Sequence, residues 1–296
     1  MKRSLLFSFL YLISFALLAQ HSSSSIPFEL TDQNNIVVKA VLNQQDTVQL
    51  MFHTAASDMT LISSSTEHIK SIIWKAGDEV ESWGGRHQTR YSGNNVLSIS
   101  ELTWDNLSIW ENERSGPSTD GKFGIDLFDG RIIDIDFDQQ IIALHDTLPE
   151  KADSYERRTL RTQDDFLFLS ASSQTDTATY PHQFLIHSGY GGGLLYDDEF
   201  IAKNKLGQQL EITSKQILKD SYGNEIVTKK AILPSLTIGE VILTDVPVGF
   251  FEGSIGRQKV SVIGGELLKR FNIIVDAEHR FIYLKANTLT VAPYTN

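Results

Sequence analysis

Two tripeptides in this 296-residue chain place an imidazole beside a hydroxyl and a small residue: His53-Thr54-Ala55 and His187-Ser188-Gly189, 134 positions apart. Each closes a short apolar run, Val48 to Phe52 in one copy and Phe184 to Ile186 in the other. A run of that length reads as a strand, and the Ala or Gly behind the hydroxyl lets the chain turn tightly. Both His residues are therefore expected at strand ends. A single His in such a place is ordinarily a hydrogen-bonded structural residue. Two in matching register point to a shared role, and a neutral imidazole is able to serve as a general base or a metal ligand.

The elements around these tripeptides repeat as well. Ile36 to Leu42 and Thr47 to Phe52, joined by a turn around Asn43 to Asp46, read as a hairpin that delivers His53. Trp83-Gly84-Gly85 lies between strand-forming stretches and reads as a hairpin tip, with Tyr222-Gly223 as its counterpart 139 positions on. Leu97 to Leu102 matches Leu236 to Val241 at the same spacing. Phe123-Gly124 followed by Ile132 to Asp136 and Ile141 to Leu144 matches Ile263-Gly264, Ile273 to Asp276 and Phe281 to Leu284. Each set reads as strand end, glycine, short helix, strand, turn, strand. The chain is thus an all-β duplication with a few short helices. Its divisions are a signal peptide at 1–20, a first lobe at 27–147, a linker at 148–165 and a second lobe at 166–288.

Composition narrows the function classes. With 41% hydrophobic and 21% charged residues the chain is an ordinary folded protein able to bury substantial cores. A formal charge of -11 lacks the basic footprint of a nucleic-acid or anionic-membrane binder. Lys2 and Arg3 ahead of an apolar run from Leu5 to Leu18 and small Ala19 form a secretory signal pattern, too short for a comfortable membrane span. An uncleaved anchor is the competing reading, and cleavage would leave no stable span. His21 to Ser25 reads as a flexible polar leader. The absence of Cys removes disulfides, thiol nucleophiles and zinc-thiolate sites, and in an exported protein it leans bacterial, periplasmic or secreted.

Other motifs carry less. Gly191-Gly192-Gly193 lacks the Lys-Ser/Thr of a phosphate loop. Ser57 and Ser188 stand in no Gly-x-Ser-x-Gly elbow. A zinc site on the two His would lack its third and fourth ligands. No metal or cofactor is expected. Asp136 and Asp276, at the ends of closing strands, read as turn-forming residues. Trp74, Trp104 and Trp110 read as packing residues.

From residue 27 to 288 this order of parts resembles the aspartic peptidases, in particular the bacterial retropepsin-like type arranged as two lobes in the pepsin manner. The resemblance rests on the two strand-end tripeptides, on Trp83-Gly84-Gly85, on Phe123-Gly124 and Val262-Ile263-Gly264, and on Asp136 and Asp276. It implies that His53 and His187 stand where the family carries its Asp pair. It also implies that Thr54 and Ser188 bond across the lobe interface, that Ala55 and Gly189 shape the two turns, and that Trp83, Gly84 and Gly85 form a flap. In that family two close carboxylates share a proton, one accepting from water while the other donates to the carbonyl. A pair of imidazoles does not reproduce that arrangement. The implied function is an exported pseudopeptidase that holds a peptide or protein ligand in the inter-lobe cleft. The alternative is an active peptidase or hydrolase of the same fold using His53, His187 or another carboxylate.

Overall fold

The computed structural model describes residues 24–82, 85–219, 225–251 and 258–295. The expected signal peptide at 1–20, Trp83 and Gly84 of the expected flap, and Tyr222-Gly223 lie outside the described residues.

The protein is mostly β, and its two halves repeat one topology. In the first half, hydrogen-bonded neighbours run Glu29–Leu30, Ile36–Leu42, Asp46–His53, Gly121–Gly124, Met59–Ile62, Leu102–Asn112, Gly85–Ile99, Lys75–Ser82. The second half repeats that order with Arg161–Gln163, Phe166–Gln174, Thr179–His187, Val262–Gly264, Leu194–Leu195, Val241–Phe251, Glu225–Ile238, Ile212–Lys219. In both halves the second and seventh strands also pair, as Val41 with Ser98 and Ser172 with Thr237, so each sheet curls back on itself. Alternation explains which face turns inward: Val48, Leu50 and Phe52 are fully buried, whereas Gln49 between them is exposed.

A third, six-stranded antiparallel sheet joins the lobes in the order Ser24–Pro27, Ile141–His145, Ile132–Asp136, Phe271–Val275, Phe281–Ala286, Glu156–Thr159. Its centre is the pairing of Asp134 with Ile274, about which the outer strands are related two by two. Ile133, Ile135, Ile273 and Val275 face one continuous apolar core, while Ile132 and Ile274 face a smaller one with Ala152. Two expectations change here. Ser24 and Ser25 belong to an edge strand because Ile26, fully buried, anchors it against Ile142. The stretch read as a linker at 148–165 carries the single-turn helix Glu150–Ser154 and the strands Glu156–Thr159 and Arg161–Gln163. Glu156–Thr159 alternates between half-buried and exposed residues at a sheet edge, and Arg161–Gln163 is exposed along its length, a pattern that a composition argument reads as polar chain.

Turn chemistry follows the strands. Asp136 accepts the Gln139 N–H at 3.0 Å and Asp276 the Phe281 N–H at 2.6 Å, each closing the turn into the last strand of its lobe. Around Gly264 the chain is clamped by buried charge. The Glu266 carboxylate, fully buried, meets the Arg270 guanidinium at 2.9 Å and the Lys269 ammonium at 3.1 Å and accepts from Asn34 at 3.0 Å. Arg270 also donates to the carbonyls of Leu289, Thr290 and Ala292, tying the chain's end to this turn.

Candidate functional site

Each His is set by the same local device. The strand Asp46–His53 runs parallel to Gly121–Gly124, with His53 opposite Gly124, and Thr179–His187 runs parallel to Val262–Gly264, with His187 opposite Gly264. Both turns then close on themselves, Ala56 N–H to His53 O at 3.1 Å and Tyr190 N–H to His187 O at 3.1 Å.

The turns meet across the lobes. Thr54 N–H donates to Ser188 Oγ and Ser188 N–H to Thr54 Oγ1, both at 3.0 Å. The hydroxyls donate onward, Thr54 Oγ1 to Ile186 O at 2.8 Å and Ser188 Oγ to Phe52 O at 2.7 Å. Asn35, which the repeat pattern does not single out, adds a bond from Nδ2 to Ser188 O at 2.9 Å. Two hydroxyls thereby satisfy two N–H groups and two carbonyls in a buried interface, where an unmade bond is costly.

This lattice brings the imidazoles together, with ring centroids 4.5 Å apart and planes inclined at 56°. His53 is 7% exposed, and a methyl at Gly189 would overlap its ring, so glycine is required there for close approach. Ala55 holds the related place in the first turn. Tautomers follow from the partners. Ala55 N–H donates to His53 Nδ1 at 3.2 Å and Tyr190 N–H to His187 Nδ1 at 3.0 Å. An N–H only donates, so both Nδ1 atoms are acceptors and each neutral ring carries its proton on Nε2. Among the described residues neither Nε2 has a hydrogen-bond partner. Burial, then the His187 and Lys122 charges, holds the His53 pKa well below its usual range; burial and Lys122 bring His187 down to about 4. At neutral pH both rings are uncharged.

Lys122 is the site residue that the tripeptides do not reveal. It stands opposite Met51, two places before Gly124, so its side chain shares the sheet face of His53. The corresponding residue of the second lobe is Val262, opposite Leu185. Comparing the copies residue by residue exposes this difference, a charge within an otherwise apolar strand. Burial lowers the Lys122 pKa.

Other expected features separate from the pair. The strands Lys75–Ser82 and Gly85–Ile99 pair from Lys75 with Tyr91 to Ser82 with Gly85. Gly193 and Gly191 press against the backbone at Pro247 and Gln33, so the triple glycine serves close packing. No group of three or more His, Asp or Glu among the described residues is placed to hold a metal. A Ser-His-Asp contact exists elsewhere: His182 Nε2 lies 2.9 Å from Asp197 and 3.0 Å from Ser261. One nitrogen faces both partners, and Ser261 Oγ, 1% exposed, donates to Asp197 at 2.7 Å, so no proton relay runs through it. Asp197 instead caps the helix Asp198–Asn204 through the Phe200 N–H at 2.7 Å.

Paired lobes, a shared antiparallel sheet and two facing turns define the two-lobed fold of the aspartic proteinases. The structure is similar to the crystal structure of an aspartic proteinase from Irpex lacteus, with a TM-score of 0.59 and 15% identity, covering 92% of this chain and 99% of that one. No protein-family model matches the sequence, and no curated protein does. Among the described residues no helix is long and apolar enough to cross a membrane.

Proposed function

We propose that this is an exported protein of aspartic-proteinase fold that binds a peptide or protein segment between its lobes without hydrolysing it. In this reading His53 and His187 occupy the places of the family's Asp pair, Trp83, Gly84 and Gly85 form the flap, and residues 1–20 direct export. The observation that carries it is the use of both Nδ1 lone pairs. A neutral imidazole has one lone pair, and each here accepts a backbone N–H, at 3.2 Å for His53 and 3.0 Å for His187. Neither ring is left with a base to deprotonate water, and neither offers the carboxylates that share a proton.

The test is a peptidase assay with a mixed peptide library from pH 3 to pH 8. No cleavage is expected at any pH, and an inhibitor with a central hydroxyl should bind weakly, for want of carboxylates around that hydroxyl. Hydrolysis that disappears in both His53→Ala and His187→Ala would make the imidazoles catalytic and overturn the reading.

A further inference from the structure

A cavity of about 490 Å³ opens on the flank of the second lobe, away from the cleft floor where His53 and His187 meet. Its walls are the first half of the strand Thr179–His187, the helix Asp198–Asn204 and the segment 259–261. His182, in that wall, precedes His187 by five residues, which sets it about 17 Å away along the strand and on the opposite face. The volume lies within the range of small-molecule sites, roughly 300–1,000 Å³. We propose that this cavity binds a small organic anion bearing hydroxyl groups, the chemistry shared by an acidic sugar and a sugar phosphate. The site is separate from the cleft and does not depend on what the cleft binds.

Charge sets the first requirement. The chain carries a formal charge of -11, yet Arg161, Lys203 and Lys259 all line this cavity, and among the described residues none of the three forms a salt bridge. Arg161 donates to Gln163 at 2.6 Å and lies 5.9 Å from the centre of the Phe168 ring, which steadies its guanidinium. Of the two carboxylates in the wall, Asp197 already accepts from His182, Ser261 and the Phe200 N–H, leaving Glu199 against three cations. An anion balances them, and the guanidinium fork matches a carboxylate or a phosphate. Unmet acceptors set the second requirement. His182 Nε2 faces the Asp197 carboxylate at 2.9 Å, and the Ser261 hydroxyl donates to the same carboxylate, so Nε2 bears the ring proton. Nδ1 of the neutral ring is then an acceptor, and no described residue donates to it. Gln183, in the same wall, spends Nε2 on Ser170 Oγ at 2.5 Å and leaves a buried Oε1 without a partner. Hydroxyl groups of a ligand would donate to both, where an unmade bond is costly. Strand packing does not require the imidazole, since the first lobe carries the fully buried Val48 in the register place of His182.

The experiment titrates the protein with glucose, glucuronate, glucose 6-phosphate, sodium acetate and inorganic phosphate. Affinity is read by calorimetry and the His182 ring signals by ¹³C NMR. We expect glucuronate or glucose 6-phosphate to bind at least about tenfold tighter than glucose, acetate or phosphate, and to shift the His182 signals. Which of the two does so separates a carboxylate from a phosphate. Lys203→Gln combined with Lys259→Gln should remove most of that preference at an unchanged melting temperature, since both side chains are exposed, and the two Lys→Arg changes should keep it. Glucose binding as tightly as both anionic sugars would overturn the anion assignment. Acetate or phosphate matching them would overturn the assignment of hydroxyl groups. Tight binding that leaves His182 unshifted and survives the double Gln variant would place the ligand elsewhere and overturn the site, as would silence from every probe.

Discussion

Thr54 and Ser188 exchange one pair of bonds in opposite directions, each backbone N–H donating to the other's hydroxyl at 3.0 Å. The symmetry makes each hydroxyl both acceptor and donor at the joint between lobes. Ser188→Ala strips a partner from the Thr54 N–H and from the Phe52 carbonyl, both buried. A loss of about 2–4 kcal/mol is expected in urea unfolding, from two groups at roughly 1–3 kcal/mol each less partial relaxation. Adding Thr54→Val should cost much less than its own single-mutant value, since the two residues form one network. Additive losses would show that the joint is not cooperative.

Acid should weaken the fold through the imidazoles. His titrates near 6.5 in the unfolded chain, while burial and Lys122 bring His187 to about 4 and hold His53 well below its usual range. Between those values the unfolded state binds more protons, so stability falls as the pH drops. The His187 contribution is complete above about pH 6.5 and lost on approaching pH 4, on the order of 3 kcal/mol in all. The melting temperature of His187→Gln should be visibly less sensitive over that interval; an unchanged slope would place the pH dependence elsewhere.

Gly189 is expected to tolerate no side chain while His53 is present. Gly189→Ala drives a methyl into the imidazole and should destabilise by about 1–3 kcal/mol, the usual cost of overpacking. His53→Ala in the same chain should recover part of that loss. Ala55→Gly, at the related position, should be much milder, and thermal melts of the three variants decide the matter.

Glu266 holds two cations in the interior. Glu266→Gln leaves the Arg270 guanidinium and Lys269 ammonium without their counter-charge in a buried site and should cost about 3–5 kcal/mol. Because Arg270 also carries the carbonyls of Leu289, Thr290 and Ala292, hydrogen exchange in residues 288–292 should rise in the same variant. Exchange confined to the Gly264 turn would separate the two functions of Arg270.

Much of this protein was legible in the order of its residues. Apolar runs of strand length, each ending in His, hydroxyl and small residue, fixed the duplication and the strand ends, because strand period and turn chemistry are local properties. The chain of Phe123-Gly124, short helix and two strands was readable for the same reason, and so was its second copy. Local reading failed where pairing was remote. Ser24 to Pro27 and Glu156 to Thr159 look like polar chain and become edge strands only because Ile141 to Leu144 and Phe281 to Leu284 offer them partners.

What only the tertiary structure decided is the chemistry of the floor. The residue types name two imidazoles, but which nitrogen bears the proton depends on the Ala55 and Tyr190 N–H groups, whose directions are set by the folded turns. The low proton affinity of the pair comes from burial and from Lys122, a residue far from both His in sequence that the parallel strands carry onto the face of His53. Sequence determined the groups present; desolvation and long-range register, which exist only once the lobes have closed, determined their charge and the directions in which they donate.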